Sequence, residues 1–233
     1  MPIGTTAFGL GGSHKRLPTN SITFGIGGGQ QKDNTAVLTT FQYSITNYLK
    51  AAIDAGVGLI DDEDLNSLGE VPPALLGAIS VGTLIPLGAS GVEVYSAGKS
   101  AGGWIRVVDF GETLVDIRQF VLIGTAGVLR RFVIGDESDS DWEDAESNEA
   151  DTVSEFTLFF EMSYRSRWAV QDARYLNQLD TEEKLEILGD VGIELDISPN
   201  TSVTAGTTLF FENTETAFHI GLNFHSLKRG ELF

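Results

Sequence analysis

Cysteine is absent from the 233 residues of this chain, and its absence excludes a set of chemistries. Without thiols there is no disulfide, no thiolate metal site and no cysteine nucleophile. Long apolar runs are also missing, because Gly, Pro, Ser or a charged residue interrupts each run well before 18 residues. A transmembrane helix needs about 20 apolar residues, so we expect none. The amino terminus lacks a basic region followed by an apolar run, so we expect no secretory signal.

Basic residues are scarce: 15 Lys and Arg stand against 33 Asp and Glu, which gives a formal net charge of −18. Binding to a phosphate backbone needs clustered Lys and Arg, and here the basic residues are scattered. We therefore exclude nucleic acid as the main partner. The high negative charge favours solubility and mutual repulsion until a partner or an ion compensates it.

Histidine is rare, with three residues in the whole chain. His14 lies near the amino terminus, and His219 and His225 share one face of a predicted strand. At roughly 3.3 Å per residue, the last two are about 20 Å apart and cannot ligate one ion. We therefore predict surface histidines and no metal site, and no cofactor is expected.

The charge is concentrated in residues 136–151, which contain nine acidic residues and no Lys or Arg. A segment this acidic cannot bury enough apolar surface to fold alone. We expect a solvated loop between a strand that ends at Ile134 and a strand that begins near Ser154. Trp142 stands alone in it, so a buried Trp142 would have to dock on the body or on another chain.

Carboxylates are hard oxygen ligands, so the same segment raises the question of Ca²⁺. The helix-loop-helix calcium loop needs Gly at position 6 and Glu at position 12. A loop that starts at Asp139 has Asp144 and Ala150 at these positions. The calcium spacing therefore fails, and a solvated acidic loop is the default interpretation.

Residues 1–34 are rich in glycine and polar residues, with a short predicted strand over residues 21–26. They are either a flexible terminus or an extended arm that orders on a neighbouring subunit, since isolated apolar anchors on flexible backbone suit that role. The interface candidates are these anchors together with the tryptophan of the acidic segment: Ile3, Phe8, Leu10, Leu17 and Trp142.

Residues 35–55 carry apolar side chains at three- and four-residue spacing, which predicts one long amphipathic helix. Asp33 or Asn34 can cap its start, and Gly56 suits its end. A second helix is predicted over residues 168–188, and a short helical turn begins around Asp61. The apolar stripe of the first helix comprises Val37, Leu38, Phe41, Ile45, Tyr48, Leu49, Ala52 and Ile53.

The rest of the chain alternates with a period of two between frequent Gly turns, which favours antiparallel strands. We predict a mainly β fold of the α+β class, an antiparallel β-sandwich or a barrel-like body with one solvated sheet face. Residues 35–135 would supply the helix and the first strands, and residues 152–233 a second β-rich part of the same domain. Predicted strands are residues 80–85, 92–95, 104–110, 113–123, 128–134, 156–164, 193–197, 203–211 and 218–224.

Residues 98–102 match G-x-S-x-G, the pattern that presents a serine nucleophile at a strand-to-helix turn. Another strand follows instead of a helix, so we interpret Ser100 as part of a hairpin loop. We predict that the chain is not an enzyme and name no catalytic residue.

A Gly-rich arm, long hairpins and a large acidic loop resemble the manner of construction of virion structural proteins, such as bacteriophage capsid decoration, neck or tail components. That resemblance implies a homo-oligomeric assembly protein located in a virion and assembled in a host cytoplasm. Its partners would be copies of itself and other structural proteins, with no membrane. The alternatives are a carbohydrate- or ligand-binding β-sandwich, whose exposed aromatics would line the site, and a Ser100 hydrolase.

Overall fold

The computed structural model describes residues 12–32, 34–61, 63–67, 69–88, 91–109, 112–134, 154–173, 179–198, 200–212 and 214–226. Ten strands and one short helical turn cover most of these residues. The strands are β1 (Ile22–Gln31), β2 (Asn34–Ser44), β3 (Leu49–Leu59), β4 (Ala74–Pro86), β5 (Val92–Asp109), β6 (Glu112–Ile134), β7 (Ser154–Ala173), β8 (Leu179–Ser198), β9 (Thr201–Phe210) and β10 (Glu215–Ser226), and the turn is α1 (Glu63–Asn66).

Each strand pairs in antiparallel fashion with the next strand along the chain, and β1 pairs with β10 to close the ring. The predicted mainly β fold with a barrel-like body is therefore confirmed, and the two-sheet sandwich is not. The ring contains strands from both sides of residues 136–151. Ile22 pairs with Ser226, so both ends of the ring's chain meet at one rim, which we call the terminal end.

The barrel forms because nearly every strand alternates strictly between its two faces. On β2, for example, Ala36, Thr40 and Gln42 are buried in the barrel, whereas Val37 and Phe41 are exposed on its outer wall. The same period of two recurs along β4 and β10. Tight turns join several pairs of strands, and Lys32 in the turn between β1 and β2 has the positive φ of 50° that such turns use.

The predicted long helix over residues 35–55 is wrong, because this stretch forms β2 and β3. The strands are joined by a turn in which the Ile45 amide donates to the Leu49 carbonyl at 2.9 Å. Apolar residues stand on both faces here: Val37 points outward and Leu38 inward. That mixture imitates helical spacing and hides the period of two.

The second predicted helix, over residues 168–188, is also wrong, since its described residues belong to β7 and β8. The predicted short helical turn is confirmed as α1. The expected position of the acidic segment is confirmed as well: β6 ends at Ile134 and β7 begins at Ser154. Residues 136–151 themselves lie outside the described residues. No helix in the described part of the chain is long and apolar enough to cross a membrane.

Four strands are longer than the others and extend beyond the ring at the rim opposite the terminal end. β5 pairs with β4 only as far as Trp104, and β8 pairs with β9 only from Leu188 onward. The hairpins of β5–β6 and β7–β8 therefore project past their neighbours. Inside that half of the barrel, a buried apolar cluster includes Leu38, Leu76 and Ile105.

Candidate functional site in the barrel lumen

The inner wall of the barrel carries charged side chains that are almost completely buried. Lys99 of β5 and Asp54 of β3 form an ion pair at 3.0 Å, and Thr40 donates to the Asp54 carboxylate at 2.7 Å. Arg165 of β7 binds Glu186 of β8 through two nitrogens. Buried charges need partners of this kind, because an unpaired ion in such a place is costly.

Residues 12–21, which we call the luminal segment, enter this polar interior ahead of β1. Ser13 and His14 have no exposed surface, and Leu17 is 2% exposed. The side-chain amide of Gln42 on β2 holds the Ser13 backbone from both sides. It accepts from the Ser13 amide at 3.0 Å and donates to the Ser13 carbonyl at 3.1 Å. The Gln42 side chain thus makes the two hydrogen bonds to the Ser13 backbone that a paired strand would make.

Glu194 of β8 receives three hydrogen bonds at the same level of the lumen. Its carboxylate accepts from the Ser13 hydroxyl at 2.5 Å and from the His14 amide at 2.8 Å. It also accepts from the Ser202 hydroxyl of β9 at 2.7 Å. Charge-assisted bonds of this type are roughly twice as strong as neutral ones, so Glu194 is a principal anchor of the luminal segment.

The His14 side chain reaches the far wall. Its Nε2 lies 2.7 Å from Oε1 of Glu161 on β7, and its ring stacks on Phe159 with centroids 4.0 Å apart. Tyr95 of β5 contacts the same ring edge-on at 5.5 Å. The imidazole is thus held by a carboxylate and by two aromatic rings from different strands.

Two lysines complete the attachment. Lys15 of the segment pairs with Asp196 of β8, and Lys50 of β3 donates to the backbone carbonyls of Ser13 and Lys15. Where the segment leaves the lumen, Asn20 accepts from the Tyr43 hydroxyl at 2.5 Å.

These contacts show that the luminal segment spans the barrel from one wall to the opposite wall. β2, which carries Gln42, and β7, which carries Glu161, are five strands apart in either direction around the ring. Ser13 and His14 are adjacent residues, yet they bind these opposite walls. A ten-stranded barrel has an interior only slightly wider than one that side chains alone can fill, so a single segment suffices to occlude it.

Inward glycines make room for the large rings of the lumen. A Cβ on Gly192 would lie 2.3 Å from the Phe159 ring, and one on Gly127 would lie 2.4 Å from the Tyr95 ring. These rings lie across the backbone of the neighbouring strand. The position of His14 therefore depends on a glycine opposite the aromatic ring that supports it.

At the opposite rim, the connection between β3 and β4 folds over the end of the barrel. Glu70 exchanges two backbone hydrogen bonds with Val108, at 2.8 and 2.9 Å. Ile60 and Val71 of this connection pack on the apolar cluster inside the wall. That end is partly covered by the chain itself.

The outer wall has the opposite character. Nine of the ten strands expose large apolar side chains on it, and on β1–β4, β9 and β10 no outward position carries a charge. On the longer strands, the outward charges Arg106, Asp116 and Arg118 stand at the projecting end, and Arg130 stands near the terminal end. At the projecting end, Trp104 donates to Asp116 at 3.0 Å and lies under the Arg106 guanidinium at 4.4 Å.

Among the predicted interface residues, only Leu17 falls within the described residues, and it is buried in the barrel. Ile3, Phe8, Leu10 and Trp142 lie outside them. The role of all five as interface residues stays a prediction.

The predicted surface histidines are wrong: His14, His219 and His225 are all buried. Alternation along β10 indicated that the last two share a face, but not that this face is internal. In the described part of the chain, no three His, Asp or Glu side chains are grouped to hold a metal ion.

Ser100 lies in the middle of β5, so the predicted hairpin loop is wrong. The nucleophile pattern fails too, because no sharp turn presents this serine. Ser100 lines a groove of the outer wall, whereas His219 and His225 are buried inside on β10. The serine and the histidines are on opposite faces of the wall, which removes the hydrolase alternative.

The residues that hold the luminal segment, Gln42, Glu161 and Glu194, were not predicted from the sequence. Glu161 stands between Phe160 and Met162, and this pattern indicates a polar face without locating it. Acidic residues at alternate positions of apolar strands were the available signal.

No family model and no curated sequence matches this chain. Solved structures similar to it include the translocator domain of the autotransporter NalP from Neisseria meningitidis, at 10% identity and a TM-score of 0.45, covering 88% of this chain and 86% of that one. The N-terminal β-barrel domain of Pseudomonas aeruginosa OprF has 10% identity and a TM-score of 0.40, covering 89% and 98%. The Acinetobacter baumannii outer membrane protein Omp33 has 8% identity and a TM-score of 0.34, covering 91% and 100%.

Such distant likenesses carry no weight for function, so the corrections rest on the two faces of the barrel. The predicted virion component, its particle partners, its cytoplasmic assembly and the absence of a membrane are wrong. A wall that is apolar outside and charged inside suits hydrocarbon, not the solvated surface of a particle or of a soluble sugar-binding sandwich. The absence of enzymatic activity stays a prediction.

Proposed function

We propose that this chain is a β-barrel protein that spans an outer membrane, with its lumen closed by its own luminal segment. The observation that supports the proposal best is the distribution of side chains across the wall. Phe24, Phe41, Ile79 and Phe160 are among the exposed apolar residues, while Lys50, Glu161 and Glu194 are buried inside.

A water-soluble barrel has the reverse arrangement, with apolar side chains inside and polar ones outside. Soluble proteins rarely expose large contiguous apolar patches, because ordering water around them is unfavourable. Here the apolar surface continues around most of the ring. Such a surface is favourable in contact with the hydrocarbon of a bilayer.

Closure of the ring also meets the demand that a bilayer places on the backbone. Every spanning strand must satisfy its N–H and C=O groups within the protein, and only helices and closed barrels do so. β1–β4, β9 and β10 contain 10 to 13 residues each. A tilted transmembrane strand needs about 9–11 residues, so these lengths suffice.

Aromatic side chains stand near both rims of the apolar band. Tyr43 and Tyr48 lie at the terminal end, and Trp104 lies with Arg106 at the other. Aromatic rings with a polar group favour the boundary between hydrocarbon and water. The two rims thus have the chemistry expected of membrane interfaces.

Reconstitution into lipid vesicles tests the proposal. The refolded full chain should remain with the vesicles after washes with alkaline carbonate and urea, and its strands should resist added protease. A chain that folds as a stable monomer in detergent-free buffer, and that these washes remove from vesicles, would contradict a membrane-spanning barrel.

A further inference from the structure

We propose, building on the membrane-spanning function above, that the luminal segment is a displaceable plug and that the barrel conducts small cations when this segment leaves. The plug is residues 12–21, and the pathway it uncovers is lined by acidic side chains of β7 and β8.

Within the lumen, the segment is attached to the wall by side chains and not by strand pairing. The ladders of the described ring close from β1 to β10 without any residue of 12–21. Gln42, Lys50, Glu161 and Glu194 supply its main contacts inside the lumen. Its withdrawal therefore breaks a small set of hydrogen bonds and leaves the wall whole.

The exit of the segment is fixed more firmly than its tip. The Asn20 amide donates to the Ser44 carbonyl at 2.8 Å, and the Ser44 amide donates to the Ser21 carbonyl at 2.9 Å. Asn20 has a positive φ of 65°, which marks a turn just before β1. The turn provides a hinge about which the tip swings toward the terminal end.

Withdrawal changes the charge of the lumen. Three carboxylates, on Glu161, Glu194 and Asp196, lose the hydrogen-bond donors that Ser13, His14 and Lys15 bring to them. The cationic Lys15 leaves with the segment. At this level of the wall, Lys50 and the Arg131–Glu93 ion pair then remain beside the three carboxylates, so acidic side chains outnumber basic ones. Acidic linings of this kind favour cations.

Water has to replace the departing segment. Buried carboxylates that have lost hydrogen-bond donors are costly to keep away from water, so an empty dry lumen is not a stable alternative. On the side of the plug away from the terminal end, the polar lining continues through Thr125 and Ser163, whose hydroxyls are 2.7 Å apart. It then reaches the Arg165–Glu186 pair. Hydration of this polar side yields a path along the barrel that avoids the apolar cluster of β2–β6.

Single-channel recording in planar lipid bilayers tests the inference with two full-length variants. Ser13→Pro removes the backbone N–H that donates to Gln42 and the hydroxyl that donates to Glu194. It changes no residue in a strand of the ring. Arg16→Ala is the matched control, because Arg16 lies in the same segment with an exposed side chain. Losing these two hydrogen bonds to the wall should raise the open probability by about tenfold or more in the Ser13→Pro variant alone.

Deletion of residues 1–17 gives the fully unplugged barrel, and deletion of residues 1–11 is its control because it retains the plug. The longer deletion should show sustained steps whose reversal potential in a KCl gradient has the sign for K⁺. Adding Glu161→Gln and Glu194→Gln to that deletion should reduce the cation preference. If the longer deletion fails to fold, the comparison of Ser13→Pro with Arg16→Ala still tests the inference.

Three results would overturn the inference while leaving the membrane barrel intact. These are an inserted wild type that conducts as well as the Ser13→Pro variant, inserted unplugged barrels without current, and anion selectivity. Failure of the wild type to insert into vesicles would instead contradict the proposed function itself.

Discussion

Two single variants, each with arginine in place of one exposed isoleucine, distinguish a barrel in a bilayer from a barrel in water. Ile79 is 60% exposed in the middle of β4, and Ile197 is 65% exposed near the end of β8 at the terminal end. Their side chains are identical and their exposures nearly so. The main difference between them is depth along the barrel axis.

In a bilayer, arginine on the outer wall costs about 2–4 kcal/mol at the midplane and about 0–1 kcal/mol near the interface. Ile79→Arg should therefore lower the free energy of unfolding by about 2–4 kcal/mol, and Ile197→Arg by at most about 1 kcal/mol. In water, a substitution at an exposed site of this kind changes stability by only about 0.5 kcal/mol in either direction.

The assay is reversible urea unfolding of the barrel in lipid vesicles, with the midpoint and the slope compared among the wild type and both variants. An unchanged slope shows that the same surface unfolds in each case. Equal, small effects at both positions would refute the assignment of the outer wall to hydrocarbon.

Two further substitutions test the interior. Gly192→Ala places a Cβ 2.3 Å from the Phe159 ring, and should destabilise the barrel by about 1–3 kcal/mol, whereas Gly98→Ala has open space and should have little effect in the same urea assay. Lys99→Met leaves Asp54 as a buried unpaired charge and should cost about 3–5 kcal/mol, most of which the added Asp54→Leu should restore; a double variant no better than the single one would contradict the pairing.

The sequence was sufficient to predict where many strands lie, because alternation with a period of two is a local property. The strands around Phe160 and Ile220 were predicted from that alternation and are found in β7 and β10. Local alternation indicates which residues share a face. It does not indicate whether that face contacts water, hydrocarbon or a lumen. The polar face was predicted to be solvated on the outside, and it lies inside the barrel.

The predicted helix failed for a related physical reason. On β2, the inner wall mixes small, apolar and polar residues, while the outer wall is mostly apolar. Leu38 inside and Val37 outside then follow each other directly, and the period of two disappears locally. Thr39 and Thr40, which are poor helix formers, were the residues that favoured a strand.

The luminal site could not be predicted from the sequence, because it is assembled by contacts between distant parts of the chain. Ser13 and Glu194 are 181 residues apart, and the closure of the ring brings them together. The glycine-rich amino terminus suggested an extended segment that orders on another surface. For residues 12–21, that surface is the interior of the same barrel.

Spin labels along β4 test the membrane-spanning barrel most directly. Because the chain has no cysteine, a single introduced cysteine can be labelled without background. We predict a period of two in vesicles: labels at outward Ile79 and Val81 should be accessible to oxygen and shielded from a polar nickel reagent, and a label at inward Ser80 should be shielded from both. Nickel accessibility at Ile79 and Val81 equal to that of an aqueous loop would contradict the membrane barrel.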